Sequence, residues 1–159
     1  GRLQHGGHVY NGMISHALLD WPGDHPGPYR LLCVERECAG VTAAAALVRR
    51  EVFDAVGGMN EDFAVNYNDV DFSMRVRQAG LRIVWTPHAC WYHFEQRSGS
   101  HPINTDEIRL IEELWTEQLE RDPYYNPNLA PGRCDWLELP LRSGSPPYEV
   151  LDDGRVSWG

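Results

Sequence analysis

Asn68-Asp69-Val70-Asp71-Phe72 sets two carboxylates where a polar loop gives way to a helical pattern. A carboxylate at such a junction can project into a cleft while its backbone stays fixed, which suits a general base. Asp69 is therefore one candidate base, although its position alone favours a helix cap, because Asp near a helix start normally satisfies orphan N–H groups. Asp71 and Arg75 lie four residues apart and pair along one helix face, either shaping a substrate site or as a solvated ion pair. His5, His8, His16, His25, His88 and His101 show no His-x-x-x-His ligand spacing and read as surface or loop residues. Cys33, Cys38, Cys90 and Cys134 include no Cys-x-x-Cys pair, so neither a zinc knuckle nor a thioredoxin-type site is indicated. Cys90, in an apolar stretch, reads as a small buried hydrophobe.

These side chains need elements to hold them. Residues 1–40 are rich in Gly, His, Pro and aromatics with little periodicity, and the run from Trp21 to Pro28 must be loop. Val41–Val48 fits a buried strand by its length, although its four alanines alone favour helix. Arg49–Val56 reads as a short amphipathic helix stopped by Gly57-Gly58. A second helix starts near Asn68, capped by Asn68 or Asp69, with Val70, Met74 and Ala79 on its apolar side and Gly80 as its stop. Leu81–Trp85 and Ala89–His93 look like two strands split by Thr86-Pro87. A long helix from about Thr105 to Arg121 follows, with Ile108, Ile111, Leu114, Trp115 and Leu119 at helical spacing and Asp106 and Glu107 in its first turn. Trp85, Trp91, Tyr92 and Trp115 are expected chiefly in the core. Beyond Asp122-Pro123 the tail is expected to be extended and packed over the domain, or partly disordered.

Composition removes several classes. Fourteen Lys and Arg against 23 Asp and Glu give a net charge of −9, which disfavours a nucleic-acid partner. No uncharged apolar run is long enough for a membrane-spanning helix. The opening Gly1-Arg2-Leu3-Gln4-His5 has no charged-then-apolar signal pattern, so a cytoplasmic location is the default expectation.

Several motifs occur in a telling order. Val41-Thr42-Ala43 runs through Arg49-Arg50-Glu51-Val52-Phe53 to Val56-Gly57-Gly58-Met59-Asn60-Glu61, and Asn68-Asp69-Val70-Asp71-Phe72 with Arg75 follows. Gly80-Leu81-Arg82-Ile83-Val84-Trp85-Thr86-Pro87-His88-Ala89, Tyr92-His93-Phe94-Glu95 and Asp122-Pro123-Tyr124-Tyr125-Asn126-Pro127-Asn128-Leu129 complete the set. Together they resemble the family-2 bacterial glycosyltransferases over most of residues 40–130. The resemblance implies the C-terminal part of a GT-A, nucleotide-diphospho-sugar transferase-like α/β fold, a mixed sheet with flanking helices. The chain then divides into a loop-rich lead-in (1–40), an acceptor-side core (41–121) and an extended tail (122–159).

The same resemblance implies inverting transfer from a UDP-, dTDP- or GDP-sugar donor to a hydroxyl of a glycan or lipid-linked acceptor, with peripheral association at the inner face of the membrane among its consequences. It places Asp69 at the family's catalytic carboxylate. It makes His93 the ligand of a Mg²⁺ or Mn²⁺ ion beside the leaving diphosphate. Asp71, Arg75 and Glu95 are expected at the substrate, and Trp21, in the Pro/Gly loop with Tyr29, can stack on a sugar ring. The chain also departs from the family. No Asp-x-Asp precedes residue 40, no strand–turn–helix unit is present to hold a nucleotide, and the family's "ESxSR" ending is altered to Glu95-Gln96-Arg97-Ser98. Little transfer is therefore expected from this chain alone. A non-catalytic glycan-binding or interaction module derived from a transferase is the alternative. A metal-dependent hydrolase is disfavoured for want of a His-rich ligand set.

Overall fold

Alternation along two three-residue strands creates the first ordered element. β1 (His8–Tyr10) pairs antiparallel with β2 (Ile14–His16), setting His8 opposite His16, Val9 opposite Ser15 and Tyr10 opposite Ile14. Successive side chains on a strand point to opposite faces, so His8 and Tyr10 share one face and Val9 takes the other. Both faces are covered: Tyr10 joins a core with Ala39, Phe63, Val70, Met74, Ile111 and Trp115, while Val9 packs with Ala17, Tyr125 and Leu129. The computed structural model describes residues 1–94, 104–137, 148–150 and 156–158, the last two stretches as backbone only. The first forty residues, expected to be loop-rich, thus carry a central hairpin. Its strands are too short for an alternating pattern to stand out.

The helices fall close to their expected places. α1 (Arg50–Ala55) ends on Gly57 and Gly58, at φ 82° and 70°, where the Gly58 N–H returns to the Phe53 carbonyl at 2.8 Å. That left-handed stop is cheap only for glycine. α2 (Asn68–Gln78) buries Val70 and Met74 against the core, and its Phe72 ring meets Phe53 of α1 at 5.7 Å. Its cap is neither Asn68 nor Asp69. Tyr67 holds that position in a left-handed turn, with no side-chain cap. α3 (Thr105–Glu120) is capped by Asn104, whose side chain accepts the Asp106 N–H at 3.0 Å.

The expected strands are mostly not formed. β3 (Arg36–Glu37) pairs antiparallel with β4 (Val84–Trp85), and β5 (Tyr148–Val150) pairs with β6 (Val156–Trp158). Val41–Val48 is no buried strand: Ala43–Ala45 makes a single 3-10 turn and Leu47 is fully exposed. The Thr42 hydroxyl draws that turn closed by accepting the Ala44 N–H at 3.4 Å, and alanines offer little apolar area to drive a strand inward. Residues 89–93 form no strand either, and Trp91 and Tyr92 are exposed, while Trp115 is buried as expected. Cys90 is exposed; Cys38 is the buried thiol. The class is α/β, but in place of a mixed sheet the described residues form three separate two-stranded antiparallel sheets. No described helix is long and apolar enough to cross a membrane.

Between 122 and 137 the tail is packed onto the hairpin. Asp122 accepts the Tyr10 N–H at 3.0 Å, the Asn11 side chain donates to the Ala130 carbonyl at 3.1 Å, and Tyr125 and Leu129 are buried against Val9. The Asp122-Pro123-Tyr124-Tyr125 motif is therefore a strap across the strands. Burial pushes the Asp122 carboxyl up, against the pull of the Tyr10 and Tyr124 amides.

Glu107 ties the entry of α2 to α3. Its carboxylate is buried and accepts the Val65 N–H at 2.9 Å, the Asn66 N–H at 3.3 Å and the Asn66 side-chain amide at 3.0 Å. The Val65 amide, assisted by Asn66 and opposed by burial, holds its carboxyl below the ordinary value of 4.5. A carboxyl depressed in the folded state stabilises the fold above its unfolded value and loses that contribution as pH falls through the folded one. Urea midpoints measured from pH 7 to pH 3 should fall more steeply for the wild type than for Glu107→Gln, which lacks the titrating group. Parallel curves would show that the loop preceding α2 does not depend on this charge.

Candidate functional site

Asp69 lies in the first turn of α2, yet it does not cap its own helix. Its Oδ2 accepts the Ala43 N–H, 3.1 Å away on the segment after β3. The side chain keeps 20% of its exposure, and His8 Nε2 approaches the same oxygen at 4.0 Å. One oxygen is thus fixed by a backbone donor from a separate segment while the carboxylate remains accessible. The helix-cap reading does not hold, because the residue stands two places past the cap and bonds elsewhere.

Beside Asp69 the hairpin gathers three imidazoles. Register sets His8 and His16 directly opposite on one face, and same-face cross-strand pairs lie in contact. Their ring centroids are 5.3 Å apart, and His5 enters edge-on at 5.1 Å from His8 and 4.7 Å from His16. Burial, then the neighbouring His8 and His16 rings, lower His5 to about 2. Burial, then His16, lower His8 to about 3. Both rings are therefore neutral at physiological pH, and the close approach of His8 to Asp69 is not an ion pair. The His8 Nδ1 faces the Tyr10 hydroxyl at 3.3 Å, in a setting where burial pushes Tyr10 well above the ordinary phenol range.

Gly40 makes room for this arrangement. A Cβ there would stand 2.7 Å from His8 Nδ1 and 2.7 Å from the Ser73 hydroxyl of α2. Only a residue without a side chain lets β1 and α2 approach so closely. The three histidines, expected on the surface or in loops, were hidden as a cluster by their spacing. They meet through strand register and a chain reversal, and the readable trace is the period of two between His8 and Tyr10.

The other expected site residues are placed as follows. Asp71 and Arg75 do not join Asp69: at about 100° per residue, Asp69 and Asp71 point roughly 200° apart around α2. Asp71 is buried; its Oδ1 accepts the Trp115 indole N–H at 2.9 Å and its Oδ2 accepts Arg75 Nε at 2.9 Å. The Arg75 guanidinium also donates to the carbonyls of Val56 and, at 2.7 Å, Gly58. The pair is thus neither solvated nor arranged around Asp69. It clamps the end of α1 to α2 and α3, on the floor of an open groove of about 570 Å³ that Met59, Asn60, Glu61 and Leu114 help line. Trp21 is half-buried in its turn, edge-on to His25 at 4.8 Å. His93 is exposed, with Nδ1 2.9 Å from the Gln4 side-chain oxygen. Gln4 also accepts from His16 Nδ1 through its backbone carbonyl at 2.9 Å, so one residue links position 93 to the imidazole cluster. Glu95 lies outside the described residues.

Among the described residues, His93, the expected ligand of a Mg²⁺ or Mn²⁺ ion, does not belong to a cluster of three or more ligating side chains. Mg²⁺ prefers oxygen ligands in octahedral array. Asp69 and Asp71, although they spell Asp-x-Asp, face opposite sides of α2 and cannot share one ion. Of the described residues, the ligating side chains gathered closely enough for an ion are His5, His8 and His16, an all-nitrogen set.

Comparison with known proteins agrees with the general direction of the sequence reading. Over 147 residues the chain is 39% identical to the uncharacterized protein y4gI of Sinorhizobium fredii, covering 86% of this chain and 16% of that protein. Over 136 residues it is 33% identical to the O-antigen biosynthesis protein RfbC of Myxococcus xanthus, covering 82% of this chain and 11% of that protein. The chain thus spans less than a fifth of the length of either curated relative. No family model matches it, and no solved structure does. Most of the chain is therefore similar to a stretch of a much longer protein of O-antigen biosynthesis.

Proposed function

We propose that the chain is the acceptor-side part of an inverting, nucleotide-sugar-dependent glycosyltransferase of bacterial cell-surface polysaccharide synthesis. The observation that carries this reading is Asp69, a partly exposed carboxylate pinned through one oxygen to the Ala43 amide. A base must be held still and reachable at once, and this geometry meets both conditions. In the reaction Asp69 takes the proton of an acceptor hydroxyl while that oxygen bonds to the anomeric carbon. The bond from that carbon to the diphosphate breaks, and the nucleoside diphosphate leaves with the electron pair. Attack opposite the leaving group inverts the anomeric centre. The similarity to an O-antigen biosynthesis protein and the ordered family-2 motifs support a polysaccharide or lipid-linked acceptor. The donor is held elsewhere in the protein.

The test is transfer itself. The intact protein that carries this chain is incubated with radiolabelled UDP-, dTDP- and GDP-sugars and a lipid-linked glycan extract. Label entering the glycan fraction with inverted anomeric configuration is the expected result. Absence of transfer from every donor, with the protein folded, would overturn the reading. The exposed rings of Trp91 and Tyr92 favour the rival role of a glycan-binding module, since aromatic faces stack on sugars. Glycan binding without transfer, unaltered by Asp69→Asn, identifies that role.

A further inference from the structure

We propose that His5, His8 and His16 form a binding site for a late first-row divalent metal ion, with Zn²⁺ the natural probe. One ligating atom from each lies within 4.8 Å of the others. Bonds of about 2.0–2.1 Å to imidazole nitrogen in tetrahedral geometry require nitrogens about 3.4 Å apart. Closing the set therefore takes side-chain movements on the order of 1 Å, within reach of small χ adjustments. Imidazole donors suit zinc, copper, nickel or cobalt and are poor ligands for Mg²⁺. The site is thus chemically distinct from a diphosphate-bound cation and does not depend on the sugar-transfer reading.

Three further features fit. Metal-bound imidazoles usually donate their second ring N–H to an outer acceptor, which fixes the tautomer. His16 has such a partner in the Gln4 carbonyl at 2.9 Å, and His8 has the Tyr10 hydroxyl at 3.3 Å. The site is also shielded from competing solvent, with His8 buried and His5 and His16 half-buried. Finally, the Asp69 carboxylate stands 4.0 Å from His8 Nε2, where its charge favours a bound cation. The Arg36 guanidinium is the opposing charge felt at His5.

His5 supplies the most diagnostic detail. Its Nε2 accepts the Thr42 N–H at 3.1 Å, so its proton resides on Nδ1. That Nδ1 is buried and has no hydrogen-bond partner. A buried donor left unsatisfied costs about 1–3 kcal/mol. Coordination through Nδ1 removes this unsatisfied donor, whereas coordination through Nε2 leaves it in place. Through Nδ1, the proton must shift to Nε2, which can then no longer accept; through Nε2, the lone pair is taken. Either way the Thr42 amide loses its acceptor, so metal binding should be visible at a residue that is not a ligand.

The chain, stripped with chelator, is titrated with Co²⁺ and then with Zn²⁺ in competition, while the Thr42 amide resonance is followed by NMR. One equivalent should bind, with tetrahedral Co²⁺ absorption that Zn²⁺ abolishes, and the Thr42 resonance should move and saturate at the same ratio. His16→Ala, at a half-buried position, should weaken binding by more than about 100-fold, beyond the usual cost of an outer hydrogen bond. His88→Ala, at an exposed position, should leave it unchanged. Failure of the folded chain to bind saturably, binding indifferent to His16→Ala, dependence on His93 instead, or an unmoved Thr42 resonance would each overturn the proposal. Should His16→Ala fail to fold, the wild-type Thr42 response decides alone.

Discussion

Asp71→Ala should lower the unfolding free energy by about 3–5 kcal/mol, the usual cost of breaking a buried ion pair from one side. The estimate follows from what loses its partner. Arg75, whose side chain is only 22% exposed, would keep its charge without the carboxylate that lies 2.8 Å from Nη2. The Trp115 indole N–H, held on Asp71 Oδ1, would lose its acceptor inside the core. α3 breaks its helical geometry at Trp115, at φ −133°, where the indole meets Asp71. The loss should therefore spread to the α2–α3 contact and not stay local. Asp71→Asn preserves an acceptor for Trp115 but removes the charge opposite Arg75, and it should cost less than Asp71→Ala. Urea denaturation followed by Trp fluorescence and by circular dichroism measures both effects. A change below about 1 kcal/mol for Asp71→Ala, the range of exposed pairs, would show that the pair is solvated after all.

The clamp shows where sequence reasoning stops. The i, i+4 spacing of Asp71 and Arg75 made their pairing legible, because helix periodicity is local. What buries the pair is Trp115, 44 positions along the chain, together with the carbonyls behind α1. No local pattern carries that information. The helices and the Gly57-Gly58 stop were readable for the same reason, since capping and periodicity act within a few residues. The strands were not. β1 and β2 are three residues each, and β3 and β4 two, which is shorter than any window in which alternation can be counted. The expected strand at 41–48 failed in the opposite way: an apolar run met no partner and stayed exposed.

The candidate site divides along the same line. Asp69 is singled out as the candidate base by motif order, a sequence property, since its loop–helix junction alone favours a cap. Its environment was invisible beforehand, because His8 reaches it through the hairpin and Ala43 through the segment after β3. The imidazole cluster depends on register between strands that were themselves missed. His93 reaches this region through Gln4, 89 positions earlier in the chain.

In the intact protein, Asp69→Asn should reduce kcat for sugar transfer by about 10²–10⁴-fold, the range for loss of a positioned general base. Acceptor KM should change little, and the fold should hold. The substitution is well suited to this site because the asparagine side-chain oxygen can still accept the Ala43 N–H, so the side chain stays where the carboxylate was. What disappears is the ability to take a proton from the acceptor hydroxyl as its oxygen attacks. Loss of an interaction made only in the transition state lowers kcat and kcat/KM together. Steady-state rates at saturating donor, with acceptor varied, separate this from a binding defect. A rise in acceptor KM at unchanged kcat would make Asp69 a binding residue, and near-normal turnover would place the base elsewhere. Asp71→Asn provides the contrast: it acts from the opposite face of α2, so its effect on rate should track its effect on stability. Lowering the assay temperature should then restore activity to Asp71→Asn and leave Asp69→Asn inactive, because refolding recovers a scaffold but cannot supply a missing proton acceptor.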